Sequence, residues 1–510
     1  MSMVLQQTPT TVDLKQLMQG FAELPEQVDI GVSGISTNSR QLGPGYVFVA
    51  LAGLTRNAID FVPEAADAGA SVVLYDARDK YAAGRQNLLA RQFDLLWLPV
   101  ENLQQVTGEI AARFYANPSD SMRLVGITGT DGKTSVTHLL VQALIRSGRR
   151  AGSIGTLGHG VANRLTLTPY TTPDAVSVQR ILDDLNRQQS EFVIMEVSSH
   201  ALQQYRVSGC HFDVAVLTNL GIDHLDYHGS EEQYAAAKSR LFALSGLKGR
   251  VLNARDRLGQ ELALQYPGPD TLLFDAVNGA PRGPNRISLV DSTLGLQGLD
   301  LGVNVDGRVI RIRTQLIGSF NIENLLACIA VLRLLGLTPD EIEQSMQGLT
   351  PIPGRMQYYP ASANQPAVVI DFAHTAQALE ACLRALRPHC QGQLYCVFGC
   401  GGDRDQSKRP RMGHVAEQLA DHVVITDDNP RSESPQAIVN DVLEGLTNAT
   451  AAKVIHDRAK AIQTTLNVAG PNDLVVLAGK GHEQVQIVGG QRIPYSDDAV
   501  VSRLRGEASI

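Results

Sequence analysis

The sequence predicts an α/β fold of parallel sheets throughout, divided among several domains. Short apolar, β-branched runs alternate with longer stretches whose apolar residues recur every three or four positions, the alternation of strand and helix that builds parallel sheets. The runs are apolar at nearly every position, which suits strands covered by helices on both faces. At 510 residues the chain also exceeds the roughly 250–300 that a single core accommodates, so about three domains are expected.

The strand candidates run in order along the chain. The first group is VFVAL (47–51), SVVLYD (71–76) and LLWLPV (95–100), and the second LVGIT (124–128), FVIMEV (192–197) and DVAVLT (213–218). The last group is AVVIDF (367–372), QLYCVFG (393–399), HVVITDD (422–428) and LVVLAG (474–479). Turn-rich ANPSD (116–120) and LTPIPGR (349–355) read as linkers, which gives domains of 1–115, 116–350 and 351–510. The stretch 255–315, rich in Gly, Asp and Asn, reads as a mixed or antiparallel insertion.

Composition excludes several function classes. The chain is 44% hydrophobic and 19% charged, with 44 basic against 52 acidic residues and a net charge of −8. Nucleic acid or an anionic membrane calls for a basic face, and that balance offers none. Anionic ligands must therefore be held by a few local cations and by backbone N–H groups. Six cysteines without a CxxC pair fit a reducing compartment and a cytoplasmic protein. The N-terminus MSMVLQQTPTTVDLKQL has no basic head followed by an apolar run, and no apolar stretch approaches the roughly 18 residues of a membrane span.

The sharpest local signal is GITGTDGKTS, Gly126 to Ser135. It follows LVGIT and opens the helical pattern VTHLLVQALIRSG, and strand, glycine loop, helix is the setting a nucleotide-phosphate cradle requires. Gly129, Thr130, Asp131 and Gly132 carry the loop, Lys133 supplies a point charge, Thr134 offers a hydroxyl to Mg²⁺, and Ser135 starts the helix. Relative to the pattern GxxxxGK, Ile127 stands where the first glycine belongs and Gly126 is one place early.

TGTDGKT resembles the phosphate loop of the Mur ligases, which build the peptide stem of peptidoglycan. MEVSSHALQQYRV (195–207), TNLGIDHLDYHGS (218–230), AAK (236–238), GSFNIENLLA (318–327), GRM (354–356), DFAHT (371–375), FGCGGDRDQSKRP (398–410), DDNPR (427–431) and AGKGHE (478–483) are similar to that family's motifs, in its order. The resemblance implies three domains that bind, in turn, a UDP-sugar, ATP (a P-loop ATPase-like centre) and an amino acid (a Rossmann-like domain). It implies an ATP-dependent ligase acting through an acyl phosphate, with small-molecule substrates, no nucleic acid and a monomeric chain.

Residue roles follow from the same resemblance. Lys133, Glu196, His224 and Lys238 are the catalytic set. Thr134, Glu196, His224 and Lys238 are the Mg²⁺ ligands, Lys238 as a carbamate made with CO₂. From the residues alone, Lys238 in EEQYAAAKSRLF reads as a solvated helix residue and His224 as a turn residue. Asn321 is expected at the adenine, Arg355 at the phosphates and Asp371 at the ribose. Phe372 and Ala376 replace the family's tyrosine and proline. Thr37 and Ser39, in STNSR with Asn38 in place of the usual aspartate, are expected near the uridine. Thr171, Thr172, Ser198, Gln204 and Arg206 are expected at the sugar-peptide, with Tyr170 where asparagine is common.

DNPR, in this family, marks the members that take meso-diaminopimelate. That amino acid ends in a second carboxylate and amine, whereas lysine ends in an amine alone. Arg404 and Arg431 suit carboxylates, and Asp428, Asn429, Pro430, Gly479 and Glu483 complete the expected pocket for a donor UDP-MurNAc-L-Ala-D-Glu and acceptor diaminopimelate. Read in isolation, DNPR is also a helix start, with Asn429 as cap and Pro430 at the first helical position. Two alternatives stand beside this reading: a lysine-adding tripeptide synthetase, and a P-loop nucleotide switch that is no ligase.

Overall fold

The computed structural model describes residues 11–53, 56–161, 164–168, 170–280, 283–296 and 298–506. The first ten residues, on which part of the reading of the N-terminus rests, lie outside these. The chain forms two compact units: Met1–Thr128 with Gly148–Val216 and Ala235–Arg250, and Gly129–Ser147 with Leu217–Tyr234 and Val251–Ile510.

In the first unit, strands Gly34–Ser36, Tyr46–Ala50, Val72–Asp76 and Leu96–Val100 form a parallel sheet in that order. Successive residues of a strand point to opposite faces. Val47, Val49, Val72 and Leu74 accordingly enter one core with Leu103 and Ile110 of helix Leu103–Phe114. Phe48, Ala50 and Val73 enter another with Val62 and Ala65 of helix Val62–Asp67. Cover on both faces is the reason the runs are apolar throughout. The same unit holds strands in the order Arg164–Thr166, Gly158–Val161, Ala151–Gly155, Phe192–Glu196, Arg123–Thr128 and Val214–Leu217. Phe192–Glu196 lies parallel to both its neighbours, with Glu196 opposite Ile127. That register puts the Glu196 carboxylate at the carboxyl edge of the sheet, where ligand sites of α/β folds form.

In the second unit, helix Lys133–Arg146 follows the glycine loop. Helix Phe320–Leu334 is buried along almost its whole length, as an apolar helix in a large core should be. A six-stranded sheet runs Gln357–Tyr359, Ala367–Asp371, Leu474–Ala478, Leu394–Phe398, His422–Ile425 and Lys453–Val454. Alternate residues again serve two cores: Val369, Cys396, Phe398 and Val476 face one, and Val368, Ile370, Val397 and Val475 the other.

All ten apolar runs form strands within a residue or so of their expected limits, except that HVVITDD stops early, at Ile425. The sheets are not parallel throughout, however. Ala151–Gly155, Gly158–Val161 and Arg164–Thr166 pair antiparallel, as do Gln357–Tyr359 with Ala367–Asp371 and Val485–Val488 with Gln491–Pro494. These are edge or hairpin strands joined by short turns, which antiparallel pairing permits and parallel pairing does not. The insertion is mixed as expected: Thr271–Asp275 lies parallel to Arg286–Gly295, which continues antiparallel through Gly298–Val305 and Arg308–Thr314.

Candidate active site

The phosphate loop is fixed by the two residues that follow strand Val214–Leu217. Thr218 Oγ1 donates to the Asp131 carbonyl at 2.6 Å. Asn219 accepts from the Asp131 N–H through its side chain at 2.9 Å and from the Thr130 N–H through its carbonyl at 2.9 Å. Thr130 Oγ1 in turn accepts from the Gly221 N–H at 2.8 Å and lies 3.1 Å from the Tyr234 hydroxyl. Gly129 has φ 150°, and a Cβ there would stand 1.8 Å from Thr218 Oγ1, so only glycine lets the clamp close. The Lys133 ammonium donates to the carbonyls of Gly129 (2.9 Å) and Thr130 (2.8 Å), and Thr134 is buried in the first helical turn.

Beside the loop is a cavity of about 250 Å³ lined by Asp131, Gly132, Ser135, Asn321, Arg355 and Asp371, among others. Six of the ten expected ATP contacts thus line one cavity, while Gly129, Thr130, Lys133 and Thr134 are not part of its lining; its volume is slightly under the roughly 300–1,000 Å³ common for small-molecule sites. Asn321 is partly engaged locally: its amide donates to Ile317 O, just before the helix, at 2.8 Å and accepts from Asn324 within it at 2.9 Å. Both Asp371 carboxylate oxygens accept backbone N–H groups, from Met356 and Ala373. Burial raises the Asp371 pKa, opposed by Arg355. The Arg355 guanidinium stacks on the Phe372 ring at 4.5 Å, a contact that phenylalanine provides as tyrosine would. Its buried Nε–H has no partner among the described residues. Nearby imidazoles are kept neutral, His138 lowered to about 4 and His482 to about 3, by burial first and then by Arg355. A desolvated guanidinium with a free N–H and neutral imidazoles beside it suits a phosphate.

In the first unit, most of the expected sugar-peptide residues form one network around Glu196. The Glu196 carboxylate, fully buried, accepts from the Thr156 N–H at 2.8 Å and its hydroxyl at 3.1 Å. A Cβ on Gly155 would come within 2.2 Å of it. Thr156 Oγ1 is 3.1 Å from Thr171 Oγ1, and Thr172 Oγ1 donates to the Glu196 carbonyl at 2.9 Å and accepts from the Ser198 N–H at 3.1 Å. Arg206 donates to the Thr172 carbonyl at 2.8 Å and to Gln204 Oε1 at 2.7 Å, and packs over the Tyr170 ring. Thr37 and Ser39 bond elsewhere: the Thr37 hydroxyl donates to Asp174 at 3.3 Å, and that of Ser39 to Glu64 at 3.0 Å, in a 3₁₀ turn capped by Asn38.

Lys238 is 1% exposed. This corrects its reading as a solvated helix residue and makes it a buried amine on Glu231–Ser239. His224 has φ 53° at the start of helix Leu225–His228, and its Nε2 lies 3.3 Å from Asp223. Although burial raises the Asp223 carboxyl, His224, His374 and Lys408 hold it below its ordinary value. Among the described residues no three His, Cys, Asp or Glu side chains gather into a ligand cluster. The set Thr134, Glu196, His224 and Lys238 contains only one carboxylate and one imidazole. Glu196 and Lys238 belong to the first unit and Thr134 and His224 to the second; a carboxylate and a hydroxyl are oxygen donors of the kind Mg²⁺ takes.

The expected amino-acid pocket splits into two halves. Arg431, at φ 53°, donates to the Gly402 carbonyl at 2.7 Å, and the exposed Arg404 donates to the Asp403 carbonyl at 3.2 Å. Burial, then Arg404, lowers the Arg431 pKa. The acidic half is bound to Lys480, a residue the sequence reading passed over. This fully buried lysine donates to Asp428 (3.3 Å), Asn429 (3.1 Å), Glu483 (2.8 Å) and the Val485 carbonyl (2.9 Å). Asn429 also donates to Glu483 at 2.7 Å and accepts from the Ile487 N–H at 2.9 Å. It thus organises the pocket from within, and it caps no helix: the next one is Pro435–Leu443, entered from Ser434. Pro430 turns the chain, its carbonyl accepting from the Glu433 N–H. Gly479 packs against Asp428 Oδ2.

Thr218, Asn219 and Lys480 lay inside quoted motifs, so their motif membership was the available signal; their roles depend on chain crossings that a linear pattern does not display. No helix of the described residues is long and apolar enough to cross a membrane.

Comparison with known proteins agrees with this geometry. Residues 31–115 match the Mur ligase family, catalytic domain; 127–332 match the Mur ligase middle domain; and 354–481 match the Mur ligase, glutamate ligase domain. A UDP-N-acetylmuramoyl-L-alanyl-D-glutamate–2,6-diaminopimelate ligase of Alkalilimnicola ehrlichii is 44% identical over 97% of this chain and 99% of its own. A ligase of the same name from Coxiella burnetii is 44% identical over 92% and 94%. A solved structure of an enzyme with that name superposes with a TM-score of 0.67 at 31% identity, covering 97% of this chain and 99% of the other. With likeness that runs almost from end to end, the chain belongs to the Mur ligase family.

Proposed function

We propose that the chain is an ATP-dependent ligase joining meso-diaminopimelate to the D-glutamate of UDP-N-acetylmuramoyl-L-alanyl-D-glutamate, in peptidoglycan biosynthesis. The observation that carries the amino-acid assignment is the pair Arg404 and Arg431, whose hydrogen bonds among the described residues all go to backbone carbonyls. They stand beside an acidic half already organised by Lys480. Two guanidiniums without an acidic hydrogen-bond partner suit a carboxylate at the far end of the amino acid, a group that lysine lacks.

ATP, with Mg²⁺, supplies the phosphoryl group that activates the D-glutamate carboxylate as an acyl phosphate for capture by an amine. The chain's part is to position and neutralise, which is where phosphoryl-transfer catalysis lies. The loop N–H groups and Lys133 receive phosphate oxygens, Arg355 adds charge from the cavity wall, and Asp371 and Asn321 orient the nucleoside. Glu196, Thr134, His224 and Lys238 serve the metal. Lys238, buried on its helix, is assigned as a carbamate on the family resemblance. The Thr172–Ser198–Arg206 network, with Thr37, Ser39, Thr171 and Gln204, takes the UDP-sugar peptide. Division at 1–115, 116–350 and 351–510, a monomeric state and a cytoplasmic location complete the reading.

The test is phosphate release with ATP and the UDP-MurNAc dipeptide, comparing meso-diaminopimelate, L-lysine and L-ornithine. Turnover should be selective for diaminopimelate. Equal turnover with lysine overturns the assignment.

A further inference from the structure

The amino-acid pocket carries three cations, Arg404, Arg431 and Lys480, and three carboxylates, Asp403, Asp428 and Glu483. Asp403 and Arg404 are exposed at its rim, and Asp403 is held by the Ser432 hydroxyl at 2.6 Å. Deeper in, Lys480 bonds one oxygen of Asp428 and one of Glu483, leaving Asp428 Oδ2 and Glu483 Oε1 without a hydrogen bond among the described residues. Below it, the Arg458–Asp497 ion pair is completely buried and charge-neutral. Tyr495 donates to Asp497 at 2.9 Å and presents its ring to the Lys480 ammonium at 5.9 Å. Lys480 is therefore clamped from beneath and cannot withdraw without stranding two carboxylates.

We propose that Lys480 is a positioning and specificity-determining residue, whose ammonium brings the pocket to charge balance and so disfavours an amino acid ending in a bare ammonium. The inference rests on the pocket being the diaminopimelate site. The far end of diaminopimelate is a zwitterion and adds no net charge to a balanced pocket. That of lysine adds a cation beside Arg431 and Lys480. Without Lys480 the pocket has one carboxylate in excess and attracts that cation.

The experiment measures kcat/KM for meso-diaminopimelate and L-lysine in the full-length enzyme, with KM for ATP as a control. Lys480→Met should lower the diaminopimelate-to-lysine ratio at least about tenfold, the scale of one charge acting across a partly screened pocket, and leave the ATP KM unchanged. Lys480→Met with Glu483→Gln restores charge balance and should return the ratio towards wild type, which a purely structural lysine would not do. Lys480→Arg should keep the ratio. Should Lys480→Met not fold, Lys480→Gln reads the same ratio, because it keeps a donor and removes the charge. Selectivity that survives loss of the charge in a selective wild type overturns this inference alone. A wild-type enzyme that uses lysine as well as diaminopimelate overturns the site reading and this inference with it.

Discussion

In the nucleotide cleft, the loop is held by neutral groups, Thr218 and Asn219, and the buried Nε–H of Arg355 has no partner among the described residues. In the amino-acid pocket, the acidic side chains already share a buried lysine, and only the arginines are left on backbone carbonyls. The contrast follows from the ligands. A triphosphate is strongly anionic, so its cradle gains by presenting backbone donors and cations, held in place by neutral side chains. An amino acid with charged groups of both signs is recognised by a pocket whose own charges are matched before it arrives, since any imbalance would favour the wrong substrate.

Variants should break the two regions separately. The largest effect expected is that of Lys133→Met: loss of turnover on the order of a thousandfold, as for removal of a charge-stabilising donor in phosphoryl transfer, with diaminopimelate binding retained by calorimetry. Arg431→Lys should cost about 2–3 kcal/mol in kcat/KM for diaminopimelate while the ATP KM stays within about twofold of wild type. Equal loss of both would contradict the role of that guanidinium. Thr218→Val removes one clamp bond and should raise the ATP KM about fivefold, the equivalent of about 1 kcal/mol, with no change in the preference for diaminopimelate.

A smaller effect appears in stability against pH. His138 and His482 have folded pKa values depressed to about 4 and about 3, below the unfolded value near 6.5. The unfolded chain therefore binds protons first on acidification. The stability from keeping these rings neutral is present above about pH 6.5 and is lost as pH falls towards 4, by about 1.4 kcal/mol per unit for each ring. Tm measured from pH 7 to 4.5 should fall less steeply for His138→Gln than for wild type.

Much of this was legible in the sequence, for identifiable reasons. Val47–Ala50 and Val475–Leu477 are apolar on successive residues because both faces are covered, a pattern that shows in one dimension. The strand Ala151–Gly155 was not legible: AGSIG has one β-branched residue and two glycines, one of which clears space for Glu196. The phosphate loop and DNPR were readable as motifs, yet the clamp of Asn219 on Asp131 joins residues 88 positions apart. Lys238 and Lys480 resist reading for the same reason. A lysine in a polar stretch counts as solvated until the fold closes over it; Lys480, for one, meets Asp428, 52 positions away.

The central claim is that the D-glutamate carboxylate is phosphorylated before the amine attacks. Dipeptide substrate labelled with oxygen-18 in that carboxylate tests it directly. An acyl-phosphate route carries one labelled oxygen into the inorganic phosphate for each amide bond formed. Phosphate released without label, alongside normal product, would contradict it.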